Sequence, residues 1–293
     1  MAQLTAGLID VFAEIPFGGN PLAVVEDADA LSDAHMQRIA GEFNQAETTF
    51  LMKSERADRK LRSFTAIGAE VFGAGHNALG AWLWMGEHGQ LGSLDTPATF
   101  LQEIGEEILP ITLVNTGGRV HGRMRQAALR LSTPLATTDA LAAALGLAPN
   151  DVAPFPAARA ADTGAAHLMV RLHDAQTVDR AAPSASALLA VLGSAGAEGC
   201  YVYAFDPSSP DTAYARFFNP TVGLWEDAAT GTAAGPLCAY LDAEGLLNPG
   251  KTLVVEQGVK MGRRSLLQVC LTPDPELSGT GVVVLRGTLD LQA

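Results

Sequence analysis

The stretch Arg62-Ser63-Phe64-Thr65-Ala66-Ile67-Gly68-Ala69-Glu70-Val71-Phe72-Gly73-Ala74-Gly75-His76 decides the fold, because the chain repeats its skeleton further on. Arg62, Phe64, Glu70 and Gly75 precede one Ala-rich run, and Arg216, Phe218, Glu226 and Gly231 precede another. The offset is 156 residues for both the Glu and the Gly pairs and 154 for the Arg pair, and Glu stands five residues before Gly in each copy. Such agreement predicts an internal duplication into two similar domains, each carrying a strand, a glycine turn and a helix N-terminus. In that arrangement the two helix N-termini are free to face each other.

Composition supports a packed protein of that size. The 293 residues include 19 Lys+Arg against 32 Asp+Glu, a formal charge of −13, and 48% are hydrophobic. No basic run is present to release counterions from a phosphate backbone, so nucleic acid is not an expected partner. The apolar fraction is too high for a disordered chain, and the length suits two domains. Residues 1–10 show neither a basic start nor a long apolar stretch, so no signal peptide is visible and a cytoplasmic protein is expected. Apolar runs such as Ala187 to Gly193 fall far short of the roughly 20 residues of a membrane span. Cys200, Cys238 and Cys270 lack any paired spacing and read as reduced packing residues.

Working outward from the repeat, Leu4 to Phe12 and Leu22 to Val25 read as strands around a turn at Pro16 to Pro21. Ser32 is a candidate N-cap for a helix carrying Met36, Ile39, Ala40 and Phe43, ending near Asn44. Thr48 to Met52 and Leu61 to Thr65 are β-rich, and Asn77 to Met85 has the content of a buried helix. The turn at Thr116 to Gly118 marks the expected boundary, giving domains 1–118 and 119–293. Beyond it, Val120 to Leu131 alternates like a strand, and Leu168 to Leu172, Tyr201 to Phe205, Leu253 to Glu256 and Val282 to Leu285 read as further strands. Thr138 to Leu147 and Ser184 to Leu192 read as amphipathic helices. The last strand belongs to either domain.

The chemistry gathers at the two glycine turns. Gly75 with His76, and Gly231 with Thr232, stand where a turn enters a helix, so unpaired amides and the positive helix end would meet an anion. Together they suggest a carboxylate cradle; ordinary helix capping is the competing explanation. Glu47 lies in Asn44-Gln45-Ala46-Glu47-Thr48-Thr49-Phe50, where partial burial would raise its pKa and suit a general acid or base, or where it merely pairs at a strand edge. His76 either shuttles protons or donates a hydrogen bond from a half-buried turn. Asp227, beside Glu226, either complements the helix dipole or orients a substrate amine or hydroxyl. A dinucleotide fingerprint, a phosphate loop, metal-ligand spacing of His and a nucleophile elbow are all missing, so cofactor-free, metal-free catalysis is expected.

Four motifs occur in order: Phe17-Gly18-Gly19-Asn20-Pro21-Leu22-Ala23-Val24-Val25, Asn44 to Phe50, Gly75-His76, and Glu226-Asp227-Ala228-Ala229-Thr230-Gly231-Thr232-Ala233. They resemble the phenazine-biosynthesis PhzF-like isomerase family, and Asp162-Thr163-Gly164 with the strand from His167 to Leu172 resembles that family's second-domain opening. The resemblance implies an α+β, diaminopimelate-epimerase-like fold: two pseudo-symmetric domains, each a curved, barrel-like sheet around a central helix, with the site in the cleft between them. It implies a cofactor-free isomerisation of a small carboxylated substrate, in relatives a dihydro-hydroxyanthranilate, with Glu47 moving the proton. His76 and Asp227 would hold and polarise the substrate, the backbones of Gly75, Gly231 and Thr232 would bind its carboxylate, and Asn77 and Thr230 fall among the substrate-binding positions. Homodimers are typical of relatives. Two departures stand out. Val71-Phe72-Gly73-Ala74 replaces the usual proline and phenylalanine, with Asn77 after the Gly-His pair, and Thr232 replaces the commoner serine. Ala74 in the turn, with Cys238 past the second helix start, disfavours racemisation by two opposed thiols. The rival readings are a non-catalytic binder of small anions and a thiol-independent racemase.

Overall fold

The computed structural model describes residues 2–222, 224–248 and 250–291. In chain order the strands and α-helices are β1 (Ala2–Val11), β2 (Asn20–Val25), α1 (Asp33–Phe43), β3 (Glu47–Met52), β4 (Arg59–Phe64), β5 (Glu70–Val71), α2 (His76–Glu87), β6 (Ala98–Ile104), β7 (Glu107–Thr116) and β8 (Arg119–Arg125). There follow β9 (Arg130–Leu131), α3 (Asp139–Ala144), β10 (Arg159–Asp162), β11 (Ala166–Leu172), α4 (Ala175–Arg180), α5 (Ala185–Ala195), β12 (Gly199–Phe205) and β13 (Thr212–Asn219). The last elements are β14 (Leu224–Asp227), α6 (Gly231–Ala243), β15 (Leu253–Gln257), β16 (Ser265–Leu271) and β17 (Pro275–Leu291). Contacts divide the chain into unit 1, Met1–Met124 with Ser278–Ala293, and unit 2, Arg125–Leu277.

Unit 1 is a closed barrel. β1 pairs antiparallel with β2, β2 parallel with β3, β3 antiparallel with β4, β4 parallel with β6, and β6 to β7 to β8 antiparallel. β8 then pairs with β17, which returns antiparallel to β1 and closes eight strands into a ring. Closure leaves no sheet edge, and the interior must be filled. α2 fills it: every residue from His76 to Met85 is buried, which is why this helix lacks a polar face. Gly80 allows the close approach, since a Cβ there would lie 2.5 Å from Val11 Cγ2. The two interior indoles find acceptors, Trp82 Nε1 on Gln102 Oε1 at 2.9 Å and Trp84 Nε1 on Glu26 Oε1 at 2.7 Å. Outside the barrel, α1 lays Met36, Ile39 and Ala40 over Phe50 and Phe64.

Unit 2 repeats the strand sequence. β10, β11, β12, β13, β15 and β16 pair in the order antiparallel, parallel, antiparallel, parallel, antiparallel, as β1, β2, β3, β4, β6 and β7 do. β14 hangs on β13 as β5 hangs on β4. α6 takes the place of α2, buried from Ala233 to Leu241 and packed on β10, β11 and β16. α3 and α5 cover the opposite face of β11 and β12 through Leu141, Leu145, Leu188 and Leu192. The repeated Arg and Glu play the same part in both copies. Arg62 grips Glu70 through Nε and Nη2 at 2.7 and 2.8 Å, and Arg216 grips Glu226 at 2.8 and 2.9 Å. Each guanidinium also lies over the repeated phenylalanine, Phe64 or Phe218, at 5.1 and 4.8 Å. The duplicated α+β architecture expected from the echo is thus present down to side-chain contacts.

Some details differ from what the sequence leads one to expect. The contact division falls after Met124, not at residue 118, because Gly117 and Gly118 make a hairpin turn that joins β7 to β8 inside unit 1. Residues 278 onward group with unit 1. The continuous strand expected over Val120 to Leu131 breaks after Arg125 and resumes only as the two-residue β9. The β6–β7 hairpin has no counterpart among the expected strands, since Pro110, paired with Leu101 in mid-strand, argues against a strand on composition. Among the described residues no helix is long and apolar enough to cross a membrane. All three cysteines are free, and burial pushes the Cys200 and Cys238 thiols up to about 12, which keeps both protonated at neutral pH.

Candidate active site

Glu47 opens β3 immediately after α1 ends on Asn44, whose left-handed φ of 50° turns the chain. Alternation puts Glu47, Thr49 and Leu51 on one face of β3. That face looks at α2, because Thr49 Oγ1 meets Asn77 O at 3.4 Å and its cross-strand partner Ser63 Oγ at 2.9 Å. The Glu47 carboxylate therefore lies at the start of α2, with Oε2 3.8 Å from His76 Nδ1. Its side chain is 18% exposed and that of His76 only 9%, so the pair is sheltered yet open on the carboxylate side. His76 Nε2 is buried with no hydrogen-bond partner among the described residues.

The two repeated helices, α2 and α6, begin without a side-chain cap. α1 is capped by Ser32 Oγ, which accepts from His35 N, and α4 by Asp174, which accepts from Thr177 N. At α2 the N-cap is Gly75, and at α6 it is Thr230, neither of which caps with its side chain, and neither first turn carries an acidic residue. α3 and α5 also begin without a side-chain cap, so the missing cap is shared by other helices of the fold. The Gly75 N–H donates to Asn77 Oδ1 at 2.8 Å.

Asn77 is committed to structure. Its Nδ2 donates to Ser63 Oγ at 3.1 Å and to Gly73 O at 3.0 Å, so one buried amide ties the glycine turn to β4. Its side chain is thus a latch, whereas the family resemblance placed it with the substrate. Asn77→Leu is expected to strand the Gly75 N–H and to cost about 2 kcal/mol, read as faster hydrogen exchange at the Gly75 and Leu79 amides.

In unit 2, Asp227 ends β14 and accepts a 2.6 Å hydrogen bond from Thr230 Oγ1. Thr230 Oγ1 also accepts from Gln257 Nε2 at 3.0 Å, which in turn donates to Asp227 O at 2.8 Å, and buried Tyr201 donates to Gln257 Oε1 at 2.8 Å. The Thr230 hydroxyl is therefore spent on holding Asp227. Thr232 sits in the first turn of α6 with Oγ1 3.1 Å from His167 Nε2, and Gly231 is buried beside it with its carbonyl accepting from Gln126 Nε2 at 2.9 Å. Tyr201, Gln257 and Gln126 are not legible as site residues in the sequence, which carries no long-range pairing signal. A cavity of about 620 Å³ elsewhere in unit 2, lined by Arg171, His173, Asp206, Tyr214, Glu256 and Arg264, contains none of these residues. Among the described residues no group of three or more His, Cys, Asp or Glu is placed to hold a metal ion.

Burial pushes the pKa of His76 from 6.5 down to about 4, and does the same to His167, where Asp162 opposes it weakly. Both imidazoles are neutral in the folded protein at pH 7. Between pH 6.5 and about 4 the unfolded chain takes up protons that the folded chain refuses, so stability falls as pH falls through that window. The expected result is a urea midpoint lower at pH 5 than at pH 7, with a smaller drop in His167→Gln.

The sequence and the fold have known relatives. The model of the PhzC-PhzF family, described as phenazine biosynthesis-like protein, matches residues 9–287. The chain belongs to this family. A trans-2,3-dihydro-3-hydroxyanthranilate isomerase of Pseudomonas fluorescens is 33% identical over 297 residues, covering 97% of this chain and 98% of the relative. A PhzF-family crystal structure from Bacillus anthracis superposes with a TM-score of 0.89 at 29% identity, covering 99% of this chain and all of that one. A hydroxyproline epimerase from Agrobacterium vitis, 11% identical with a TM-score of 0.66 over 98% of this chain and 92% of its own, shares the fold. The PhzC-PhzF match thus spans both units and includes every candidate site residue.

Proposed function

We propose that this PhzC-PhzF family member is a cofactor-independent isomerase that moves a proton between carbons of a small carboxylated substrate, with Glu47 as the general acid and base. The observation that carries the reading is the Glu47 carboxylate, largely sheltered and 3.8 Å from a neutral, buried His76 at the uncapped start of α2. A carboxylate held there takes a proton from an activated carbon and, as the acid, returns it at another. The neutral imidazole offers one N–H and one lone pair, so it polarises or orients a substrate group without adding charge. Asp227, fixed by Thr230, is assigned to orient a substrate amine or hydroxyl. The first-turn amides at Gly231 and Thr232 are assigned to the carboxylate.

The isomerase relatives and the family match support this reading. The name of the P. fluorescens relative supports the substrate class. It is tested by incubating the protein, dialysed against a chelator and without added cofactor, with trans-2,3-dihydro-3-hydroxyanthranilate and following the substrate by proton NMR. Migration of its double bonds at a catalytic rate supports the reading. Binding without conversion supports the rival anion-binding role.

A further inference from the structure

The segment Asp162-Thr163-Gly164 leads into β11 and to a histidine that the proposed chemistry does not use. His167 is 3% exposed and packs edge-on against Phe217, ring centroids 4.9 Å apart. Its Nε2 lies 3.1 Å from Thr232 Oγ1, while its Nδ1 is buried with no hydrogen-bond partner among the described residues. That asymmetry selects a tautomer. A proton on Nδ1 would strand a buried donor, whereas a proton on Nε2 makes a bond to Thr232 and leaves only a bare ring nitrogen, the more tolerable deficit. The imidazolium is excluded at neutral pH because burial holds the pKa near 4.

The consequence falls on Thr232. When Nε2–H donates, Thr232 Oγ1 is the acceptor and its own hydrogen must turn elsewhere. Thr232 is half-buried between buried Gly231 and Ala233, and its hydroxyl is the polar side-chain group of the first turn of α6. We propose that His167 is a positioning residue, which fixes the Thr232 hydroxyl as a donor directed at the substrate carboxylate beside the free amides of α6. This rests on the carboxylate-binding role assigned above to that helix start.

Two measurements test it. Long-range proton–nitrogen correlation on uniformly ¹⁵N-labelled protein at pH 7, with the His167 signals assigned by their loss in His167→Gln, is expected to show Nε2 protonated and Nδ1 bare. The reverse pattern, or two protonated nitrogens, overturns the proposal. With trans-2,3-dihydro-3-hydroxyanthranilate as probe, His167→Phe is expected to raise KM roughly tenfold with kcat little changed, the size expected for one hydrogen bond to a charged group. His167→Gln, whose side-chain amide restores a donor near the Nε2 position, is expected to recover most of that loss. Equal impairment of the two variants overturns the proposal. A wild-type protein inert toward the probe contradicts the proposed substrate and leaves the imidazole proton to decide the role of His167.

Discussion

Glu47→Gln is expected to lower turnover by roughly 10² to 10⁴ while leaving KM within a few-fold, the range for removing a general acid or base. Glutamine keeps the shape of the side chain and its place at the head of β3, so the Thr49 and Ser63 contacts behind it survive. What it loses is the capacity to hold and release a proton. The fall therefore belongs in kcat, and a comparable rise in KM would show instead that the carboxylate binds substrate. Steady-state kinetics with trans-2,3-dihydro-3-hydroxyanthranilate makes the comparison. Unchanged kcat would remove Glu47 from the chemistry.

The second large effect is structural. Arg216 is 7% exposed in its side chain and Glu226 12%, and besides its bidentate grip on Glu226 the guanidinium donates from Nη1 to Ala181 O at 2.8 Å and Val178 O at 3.1 Å. One cation thus ties β13 and β14 to the end of α4, directly upstream of Asp227. Arg216→Met leaves Glu226 desolvated without its partner and is expected to cost about 3–5 kcal/mol, whereas removing both charges in Arg216→Met/Glu226→Leu is expected to recover much of it. The equivalent Arg62→Met is milder, because Arg62 and Glu70 are 19% and 25% exposed and Asp33, the third member, stands in solvent. Hydrogen exchange at Phe217 and Asp227, paired across β13 and β14, reads the loss locally without assuming that two units unfold together. Equal losses for Arg216→Met and Arg62→Met would contradict the burial argument.

The repeat is legible in the sequence because duplication preserves residues with the same mechanical role. Arg and Glu clamp a strand to its short neighbour, and the following glycine or threonine turn starts a helix that fills the sheet's concave side. The helix from Asn77 is legible as buried because its apolar residues go all round. The β6–β7 hairpin is not, since Pro110 and exposed Leu101 obscure the alternation that closure of the barrel requires. At the site, the position of Glu47 between a helix end and an apolar strand can be read, but its distance to His76 depends on how β3 lies along α2. What the Asn77 side chain bonds to is not legible either, because a polar residue at a helix start can serve a ligand or the turn, and only the positions of Ser63 Oγ, Gly73 O and Gly75 N show that it ties the turn. His167 and Thr232 are 65 residues apart, and nothing local in the sequence links them.

The measurement that bears most directly on Glu47 as the proton carrier is isomerisation in deuterium oxide, with the position of label in the product read by NMR. Wild-type protein is expected to place deuterium on a single carbon of the product from trans-2,3-dihydro-3-hydroxyanthranilate, and Glu47→Gln is expected to bind the compound yet incorporate none at a comparable rate. Incorporation by Glu47→Gln at the wild-type rate would contradict the account.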